Sequence, residues 1–594
     1  MLRRALLLAI ALVASLSCRP SARPLTVQAT PSRPLAAPRA AAPADVPPDP
    51  YPDDPAIAEA GRRYVELLVA ISPETATSLG LHARDAELDD RSARGHEEAL
   101  AREEAMLRAL EARFAHPRAS AAARTDLALV MGALRADVRR KRLQRPLERQ
   151  PDLYASPLEA IFLMTARAYA PAAERARNVV ARLEKVPAVV EAGRANLREP
   201  PRVFTEVGIA RAASARAFLE AQRPFLLEAL PDERPRVEAA LATAEAAYDD
   251  FRRFLQREVL PRSTGRFAAG RELFEELLRS EHHLEEKPEE LLAIGKQVLA
   301  ETSARMDQVA KRLDLKARGW PEVVRRLKGR HPTAEGLVDA YRTEVARARA
   351  FLVETGAVPL PPGDDLQVVE TPPFLRSTVT AAYDRPPPFD PVTRGFFFVT
   401  PVDASLPKKR QEELLREHDH GDLVDTAVHE AYPGHHVQLS FARRHPSVVR
   451  KVIDHAVFSE GWALYAEELM AELGYYTDEE RLMQLEWTLV RAARVVIDVG
   501  LHVGDMTFEQ AVKVLTDEAH LERPLALSEV KRYTLNPAQP LSYLIGRQKI
   551  LELRERRRAR DGAAFSLAAF HADLLSRGTV PPTLLAREMF ADER

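Results

Sequence analysis

Apolar residues recur every three or four positions through most of this chain, and this spacing limits the fold more than any other feature of the sequence. Residues three and four apart lie on the same face of an α-helix. One apolar stripe consists of Val237, Leu241, Ala244, Tyr248, Phe251 and Leu255, and a second consists of Leu100, Leu107, Leu110 and Phe114. Both stripes end after a few turns, so they predict helices packed in a bundle rather than a long coiled coil.

The composition narrows the class of protein further. With 24 Gly and 6 % aromatic residues among 594, the chain does not resemble an all-β sandwich or propeller. The 85 Lys and Arg residues nearly balance the 87 Asp and Glu residues, so no basic excess favours nucleic acid as a partner. The single cysteine excludes a disulfide scaffold, a thiolate zinc cluster and an iron–sulfur site. Any metal must therefore be bound by histidine and carboxylate side chains.

The N-terminal segment is predicted to lie outside the folded body. Residues 1–17 combine a basic start with a short apolar run, which is typical of a signal peptide and too short to span a bilayer. Cys18 follows directly, as at the lipidation site of bacterial lipoproteins, although ordinary secretion with an incidental cysteine is the alternative. Residues 18–55 are rich in Pro, Ala, Ser and Arg and predict a disordered tether. We therefore expect an exported lipoprotein at the periplasmic face of the envelope, in contact with the membrane through its lipid only.

The body divides into a helical N-terminal region, 56–360, and a region, 361–594, that begins with strand-like sequence. Segments 366–370 and 394–400 are rich in the β-branched and aromatic residues of short strands, and 374–383 is a candidate third strand. We predict a mainly α fold in which a small sheet with an edge strand immediately precedes the helix that carries the metal site.

The most unusual helix of the chain contains His429 and Glu430, followed by His435 and His436. In zinc peptidase helices a His-Glu pair is followed by a second histidine four residues after the first, so that both imidazoles share one face. Here His429 and His435 are six residues apart, which places them on different faces of a regular helix. His436 returns to the same face but lies about 10 Å along the axis, too far for one ion.

Pro433 and Gly434 stand between these histidines. Pro433 removes an N–H from the helix, and Gly434 permits backbone angles that other residues avoid. Together they predict a distortion that brings a second imidazole beside His429. The alternative is that Pro433 and Gly434 simply end the helix and leave the histidines at the surface.

A third ligand is available downstream. Glu460, 31 residues after His429, is the first acidic residue of a predicted helix that also contains Trp462 and Tyr465. Zinc hydrolases of the two-His, one-Glu type take their third ligand from a later helix. Glu467 lies two turns after Glu460 on the same face, where it would orient a ligand. A solvated or ion-paired Glu467 is the alternative.

Two motifs, HEAYPGHHVQ at 429–438 and EGWALYAE at 460–467, resemble the DUF885 family, a bacterial group of zincin-like metallopeptidases, many of them exported. The match continues through the segments 494–502, 533–546 and 570–573. The resemblance implies a zincin-like helical metallopeptidase fold. Because the family motif keeps the histidine directly after the glycine, the resemblance favours His435 over His436 as the ligand.

The resemblance also implies roles for individual side chains. One Zn²⁺, or another divalent ion such as Mn²⁺ or Co²⁺, would be bound by two imidazoles and a carboxylate, those of His429, His435 and Glu460. The catalytic side chains would be Glu430 as general base, with Tyr543 and His502 at the oxyanion. Packing between helices is the alternative for the last two. The side chains expected to orient ligands or contact substrate are His436, Gln438 and Glu467.

The predicted function is metal-dependent hydrolysis, with a zinc peptidase as the specific interpretation. The strand at 396–400 would align an extended peptide substrate by edge pairing. One alternative is a metal-dependent amidohydrolase that acts on a small acylated compound. The other is a noncatalytic periplasmic binding lipoprotein on the same scaffold, against which the retention of Glu430 argues.

Overall fold

The computed structural model describes residues 54–371, 376 and 380–593. The predicted signal peptide, Cys18 and nearly all of the predicted tether lie outside these residues. Helices account for 72 % of the structure, so the prediction of a mainly α fold is confirmed. No helix within the described ranges combines the length and the apolar character needed to cross a bilayer.

Within the described ranges, the α-helices before the sheet are α1 Pro55–Ile71, α2 Pro73–Leu79, α3 Ala93–Arg113, α4 Ala121–Arg139, α5 Pro146–Arg149, α6 Pro157–Ala166, α7 Ala172–Leu183, α8 Val186–Asn196, α9 Arg202–Ala229, α10 Arg234–Phe254, α11 Arg271–Ser280, α12 Pro288–Leu313, α13 Trp320–Leu327 and α14 Leu337–Thr355. Those after it are α15 Lys408–Leu415, α16 His420–Glu430, α17 His435–Arg443, α18 Val448–Val452, α19 Ala456–Glu472, α20 Asp478–His502, α21 Phe508–Lys513, α22 Arg523–Leu535, α23 Ser542–Asp561, α24 Leu567–Ser576 and α25 Pro582–Met589.

Both apolar stripes found in the sequence lie on helices. The first runs along α10 and ends just after it, and all six of its residues are buried. The second runs along α3, where Leu100 and Leu110 are buried. α10 packs against α7, α8 and α9, and α3 packs against α1 and α4, so each stripe contributes to a packed group of helices.

The small sheet has three strands, β1 Leu366–Glu370, β2 Ala381–Asp384 and β3 Gly395–Val399, in the order β1-β3-β2. β1 is parallel to β3, and β2 is antiparallel to it. The predicted strands at 366–370 and 394–400 are confirmed. Of the candidate third strand, residues 381–383 belong to β2, while 374, 375 and 377–379 lie outside the described residues.

The prediction that residues 396–400 align a peptide by edge pairing is wrong. β3 is the central strand, and its backbone is paired with β1 on one side and with β2 on the other. The strands at the two edges of the described sheet are β1 and β2. Strand order depends on pairing between segments distant in sequence, so the local pattern of residues could not reveal it.

The hydrophobic interior consists of three clusters of buried side chains, and the regions 56–360 and 361–594 share two of them. The first cluster includes Val428 of α16 and Phe458 of α19, whereas the second includes Val457, also of α19. The third is formed within the N-terminal region alone. The boundary near residue 360 therefore marks a change in sequence pattern but does not divide the hydrophobic interior into two parts. α19 lies where the first two clusters meet.

α19 and α23 cross at a point where neither helix carries a side chain. A Cβ on Gly461 of α19 would stand 2.5 Å from the Cα and carbonyl carbon of Gly546 of α23. A Cβ on Gly546 would overlap the carbonyl oxygen of Val457. The close approach of these two backbones fixes the position of the turn of α19 that carries Glu460.

We expect Gly546→Ala to destabilise the protein by about 1–3 kcal/mol, the usual cost of overpacking, because the new methyl group would force α19 and α23 apart. The displacement of Glu460 should also weaken divalent metal binding. Gly329→Ala is the matched control, since its Cβ would come no closer than 3.4 Å to the carbonyl oxygen of Arg326. Chemical denaturation and metal titration of both variants measure these effects; equal stability of the two variants would contradict this account of the crossing.

Candidate metal centre

The chain leaves helical geometry between α16 and α17, at residues 431–434. Gly434 packs against the end of α16: its N–H donates to the carbonyl of Val428 (3.0 Å), and a Cβ on it would overlap the carbonyl oxygen of His429. Any residue other than glycine would collide there, although the φ angle of Gly434, −69°, is ordinary. The predicted distortion at Pro433 and Gly434 is confirmed, and it is a complete break between two helices.

This break brings the two predicted histidine ligands together. The rings of His429, at the end of α16, and His435, at the start of α17, have centroids 4.8 Å apart and are nearly perpendicular, at 86°. A regular helix would have placed them on different faces. The indole Nε1–H of Trp462 donates to the carbonyl of Pro433 (2.8 Å) and thus fastens the turn to α19.

Glu460 of α19 completes the group. Its Oε2 lies 3.4 Å from Nε2 of His435 and 3.8 Å from Nε2 of His429. Ligand atoms of the three residues all lie within 4.8 Å of one another, and among the described residues they form the one group of this kind. Two ligands about 2.1 Å from a tetrahedral ion are about 3.4 Å apart, so the donor atoms and their spacing fit a divalent ion such as Zn²⁺.

Glu467 holds the far side of His429. It lies on α19, is completely buried, and its Oε1 accepts a hydrogen bond from Nδ1 of His429 (2.7 Å). A proton on Nδ1 leaves the lone pair of Nε2 directed towards Glu460, which is the tautomer that metal binding requires. This position agrees with the predicted role of Glu467 in orienting a ligand.

The electrostatics of the group favour a positive charge between the imidazoles and Glu460. Burial alone would lower the pKa of His429, but the carboxylates of Glu460 and Glu467 outweigh it and raise the pKa to about 10. Burial would raise the pKa of Glu460, yet the imidazoles of His429 and His435 hold it well below its usual range. A metal ion would replace the proton on His429, so its affinity should fall as the pH falls.

Glu430 is the last residue of α16 and lies next to the ligand group without belonging to it. Its Oε2 accepts a hydrogen bond from the backbone N–H of Tyr383 in β2 (3.0 Å). The edge strand therefore fixes one carboxylate oxygen of the residue predicted to be the general base. Glu430 is partly exposed, in contrast to the buried Glu460 and Glu467.

Tyr543 lies beside the group, as predicted. At the start of α23, its ring stacks on that of His429 with centroids 6.4 Å apart and planes at 18°. The guanidinium of Arg494 in α20 lies 4.7 Å from the centre of the tyrosine ring. Burial, together with the charge of Glu460, raises the pKa of Tyr543 to about 12, so its hydroxyl stays protonated at neutral pH.

His502 does not have the role predicted for it. Its Nδ1 accepts a hydrogen bond from the backbone N–H of Ala269 (3.2 Å), and its Nε2 lies 3.0 Å from the carbonyl of Tyr533. Both ring nitrogens are therefore engaged by backbone groups, which leaves neither for an oxyanion. His502 joins the end of α20 to two other segments, and the alternative of packing between helices is the one its contacts support.

His436 and Gln438 of α17 contact other parts of the protein. Nε2 of His436 lies 2.7 Å from Oδ1 of Asp364, and its Nδ1 lies 3.2 Å from the hydroxyl of Tyr383. With both nitrogens engaged, His436 supports the turn and the edge strand and offers no nitrogen to an ion. The side-chain amide of Gln438 donates to Thr579 (2.8 Å), so the predicted contact with ligands or substrate is replaced by packing against the C-terminal segment.

Two carboxylates near the group were missed by the sequence analysis. Asp364 accepts hydrogen bonds from Tyr432, His436 and Arg349, which overcome its burial and lower its pKa to about 2. Asp364 lies far before the histidine motif in the sequence, so no local pattern connected it with the group. Asp425, one helical turn before His429, could have been found from that spacing. Burial and the neighbouring Glu467 raise the pKa of Asp425.

Comparison with known protein families matches residues 73–589 to the family described as "Bacterial protein of unknown function (DUF885)". The chain belongs to this family. The resemblance inferred from the histidine and glutamate motifs is thereby confirmed, and the DUF885 match includes every residue of the ligand group. Comparison with curated proteins finds no match.

Two solved structures share the fold of this DUF885 member. One is a candidate lipoprotein of unknown function from Shewanella oneidensis, with 26 % identity and a TM-score of 0.76 over 90 % of this chain and 99 % of that one. The other is a candidate lipoprotein from Colwellia psychrerythraea, with 19 % identity and a TM-score of 0.76 over 91 % and 99 % of the two chains. The second similarity concerns the fold alone.

The choice between the two adjacent histidines is directly testable. Removal of a residue that hydrogen-bonds to a metal ligand typically lowers metal affinity by about 10- to 100-fold. His435→Ala removes a ligand itself and should lower zinc affinity by more than this. His436→Ala is the matched control and should retain near-stoichiometric zinc, because Asp364 and Tyr383 already engage its nitrogens. Metal analysis after dialysis against buffered zinc measures the zinc bound by each variant. If His436→Ala lost zinc and His435→Ala kept it, His436 would be the ligand instead of His435.

Proposed function

We propose that this DUF885 protein is a metal-dependent hydrolase that cleaves amide bonds in peptides. The observation that carries the proposal is the joint position of His429, His435 and Glu460, with ligand atoms within 4.8 Å of one another, next to a partly exposed Glu430. Two imidazoles and a carboxylate are the donor set of many hydrolytic zinc sites, and a neighbouring carboxylate outside the donor set is suited to move protons.

A divalent ion bound by these three residues would supply a Lewis acid for the scissile carbonyl and lower the pKa of a water molecule. Glu430 accepts the proton of the attacking water and transfers it to the nitrogen of the leaving amine. Because the backbone N–H of Tyr383 donates to Oε2 of Glu430, we assign the proton taken from water to Oε1 of Glu430. Glu467 keeps His429 in the orientation and tautomer that binding requires.

Tyr543 is the candidate donor for the oxyanion that forms when water adds to the carbonyl. Its hydroxyl is protonated at neutral pH, and its ring stacks on that of a ligand. A donor held in place before the reaction stabilises developing negative charge at little cost in reorganisation. Arg494 packs against the tyrosine ring and restricts its rotation.

We further propose that the protein acts at the periplasmic face of the cell envelope as a lipoprotein anchored through Cys18. The sequence of residues 1–18 supports this proposal, and the two solved structures with the same fold are named as candidate lipoproteins. A peptide substrate suits this location, since an anchored hydrolase would meet peptides that enter or leave the envelope. The amidohydrolase alternative predicts turnover of small acylated compounds and no cleavage of peptides.

The contrast between two carboxylate variants tests the proposal. Glu430→Gln should retain its metal and lose about 10²- to 10⁴-fold in turnover, because the carboxamide cannot accept the proton. Glu460→Gln should lose metal affinity itself, because a charged ligand is replaced by a neutral one. Bound metal per chain and cleavage of a peptide library, measured on both variants and the wild type, give the result.

Several outcomes would contradict the proposal in different ways. If Glu430→Gln lost the metal and Glu460→Gln kept metal and full activity, the roles assigned to both carboxylates would be wrong. Full turnover in both variants would place the chemistry elsewhere in the chain. Stoichiometric zinc with no cleavage of peptides or acylated amides by the wild type would favour the noncatalytic binding protein.

A further inference from the structure

The edge strand β2 is held in place by residues from three parts of the chain. Its Tyr383 donates its backbone N–H to Glu430, as described above. The next residue, Asp384, forms an ion pair with Arg167, which directly follows α6 in the N-terminal region. Arg385 then pairs with Asp454 (2.8 Å), two residues before α19. β2 is therefore one of the places at which the N-terminal region meets the helices of the metal centre.

The contact of Arg167 with this strand is buried and specific. The side chain of Arg167 is 2 % exposed, and besides the carboxylate of Asp384 its Nη2 reaches the carbonyl oxygen of Arg385 (2.7 Å). Its guanidinium carbon lies 5.8 Å from the ring centre of Phe396, the β3 residue that pairs with Asp384. Arg167 thus contacts the end of β2 in three ways: through the carboxylate of Asp384, the carbonyl of Arg385 and the ring of Phe396 in the neighbouring strand.

Only one of the three guanidinium nitrogens of Arg167, Nη2, forms these hydrogen bonds. Its Nε and Nη1 atoms are buried and have no hydrogen-bond partner among the described residues. A buried guanidinium that lacks partners for two of its nitrogens gains little stability from its hydrogen bonds.

We propose that Arg167 and Asp384 are positioning residues for Glu430: the ion pair between them fixes the end of β2, so that the N–H of Tyr383 holds the general base in one orientation. This inference rests on the proposed function, since it assigns Glu430 the role of the base. It gives the N-terminal region a part in the reaction, although 217 residues separate Arg167 from Asp384.

The physical basis is the short connection between the two contacts. Tyr383 and Asp384 are adjacent, so a shift of Asp384 moves the N–H that binds Glu430. If the N–H moves, the carboxylate can rotate, and a misplacement of about 1 Å in an active site can cost about 10²-fold in rate. The ligand residues lie on α16, α17 and α19 and do not depend on this ion pair. Loss of the ion pair should therefore lower turnover and leave the metal bound.

The test uses two changes at the ion pair and one matched control in the full-length protein. Arg167→Lys keeps the charge but removes Nη2, the guanidinium nitrogen that donates to both Asp384 and the carbonyl of Arg385. The double variant Arg167→Met with Asp384→Asn removes both charges, so neither is left buried alone. The control is Arg91→Lys, because Arg91 forms a similarly buried ion pair with Glu74 in the N-terminal region (2.6 Å).

We expect both changes at the ion pair to lower kcat by about 10-fold or more, with KM and bound zinc changed less than about twofold. Arg91→Lys should lower the melting temperature without lowering kcat. Hydrogen exchange of the segment 381–385 should be faster in both Arg167 variants and unchanged in the control, because the N–H of Tyr383 is less firmly held. An unchanged kcat in a folded, zinc-loaded Arg167 variant would overturn the proposal, as would an equal loss in the control.

Failure of the proposed function gives a different pattern. If the wild type cleaves neither peptides nor acylated amides, the role of Glu430 as general base is contradicted, and the part assigned to Arg167 in the reaction falls with it. Hydrogen exchange does not depend on catalytic turnover, so it still shows whether Arg167 stabilises the hydrogen bond from the N–H of Tyr383 to Glu430. Unchanged exchange in both variants would refute that mechanical connection whatever the activity of the wild type.

Discussion

Gly434 lies in close contact with the end of α16, and this contact determines where the chain turns between the two histidines. The chain can turn back at this point only because residue 434 has no Cβ, which would otherwise overlap the carbonyl oxygen of His429. The turn places His435 beside His429 instead of on another face of a continuous helix. Trp462 fastens the same turn to α19, so the helix that presents Glu460 is fixed relative to both histidines.

The charges around the ligand group explain why its carboxylates can be buried together. Glu460 faces the two imidazoles, and Glu467 accepts the Nδ1–H of His429. Nη2 of Arg491 lies 4.0 Å from Glu467, which offsets part of its negative charge. Burial and Glu467 raise the pKa of Asp425, so this neighbouring acid is disposed to remain neutral. The arrangement favours a cation at the centre and limits repulsion among the acids.

The sequence predicted those parts of the fold and site that depend on local spacing. The strand at 366–370, the break at Pro433 and Gly434, and the position of Glu467 two turns after Glu460 all follow from residues near one another in the chain. The positions of Glu460 and Tyr543 beside the histidines were predicted from the resemblance to known metallohydrolases and not from local spacing. Other contacts between distant segments were missed or predicted wrongly. The sheet order depends on which strands pair, and His502 is engaged by backbone groups far away in sequence. No local pattern could connect Arg167 with β2.

X-ray absorption spectroscopy of the zinc-loaded wild type shows whether His429, His435 and Glu460 bind one divalent ion. We expect one zinc per chain, with two imidazole nitrogens and carboxylate oxygen at about 2.0–2.2 Å. The same measurement on His435→Ala should show one imidazole fewer. A protein that retains no stoichiometric zinc, or whose zinc spectrum is identical in the wild type and His435→Ala, would contradict this assignment of the ligands.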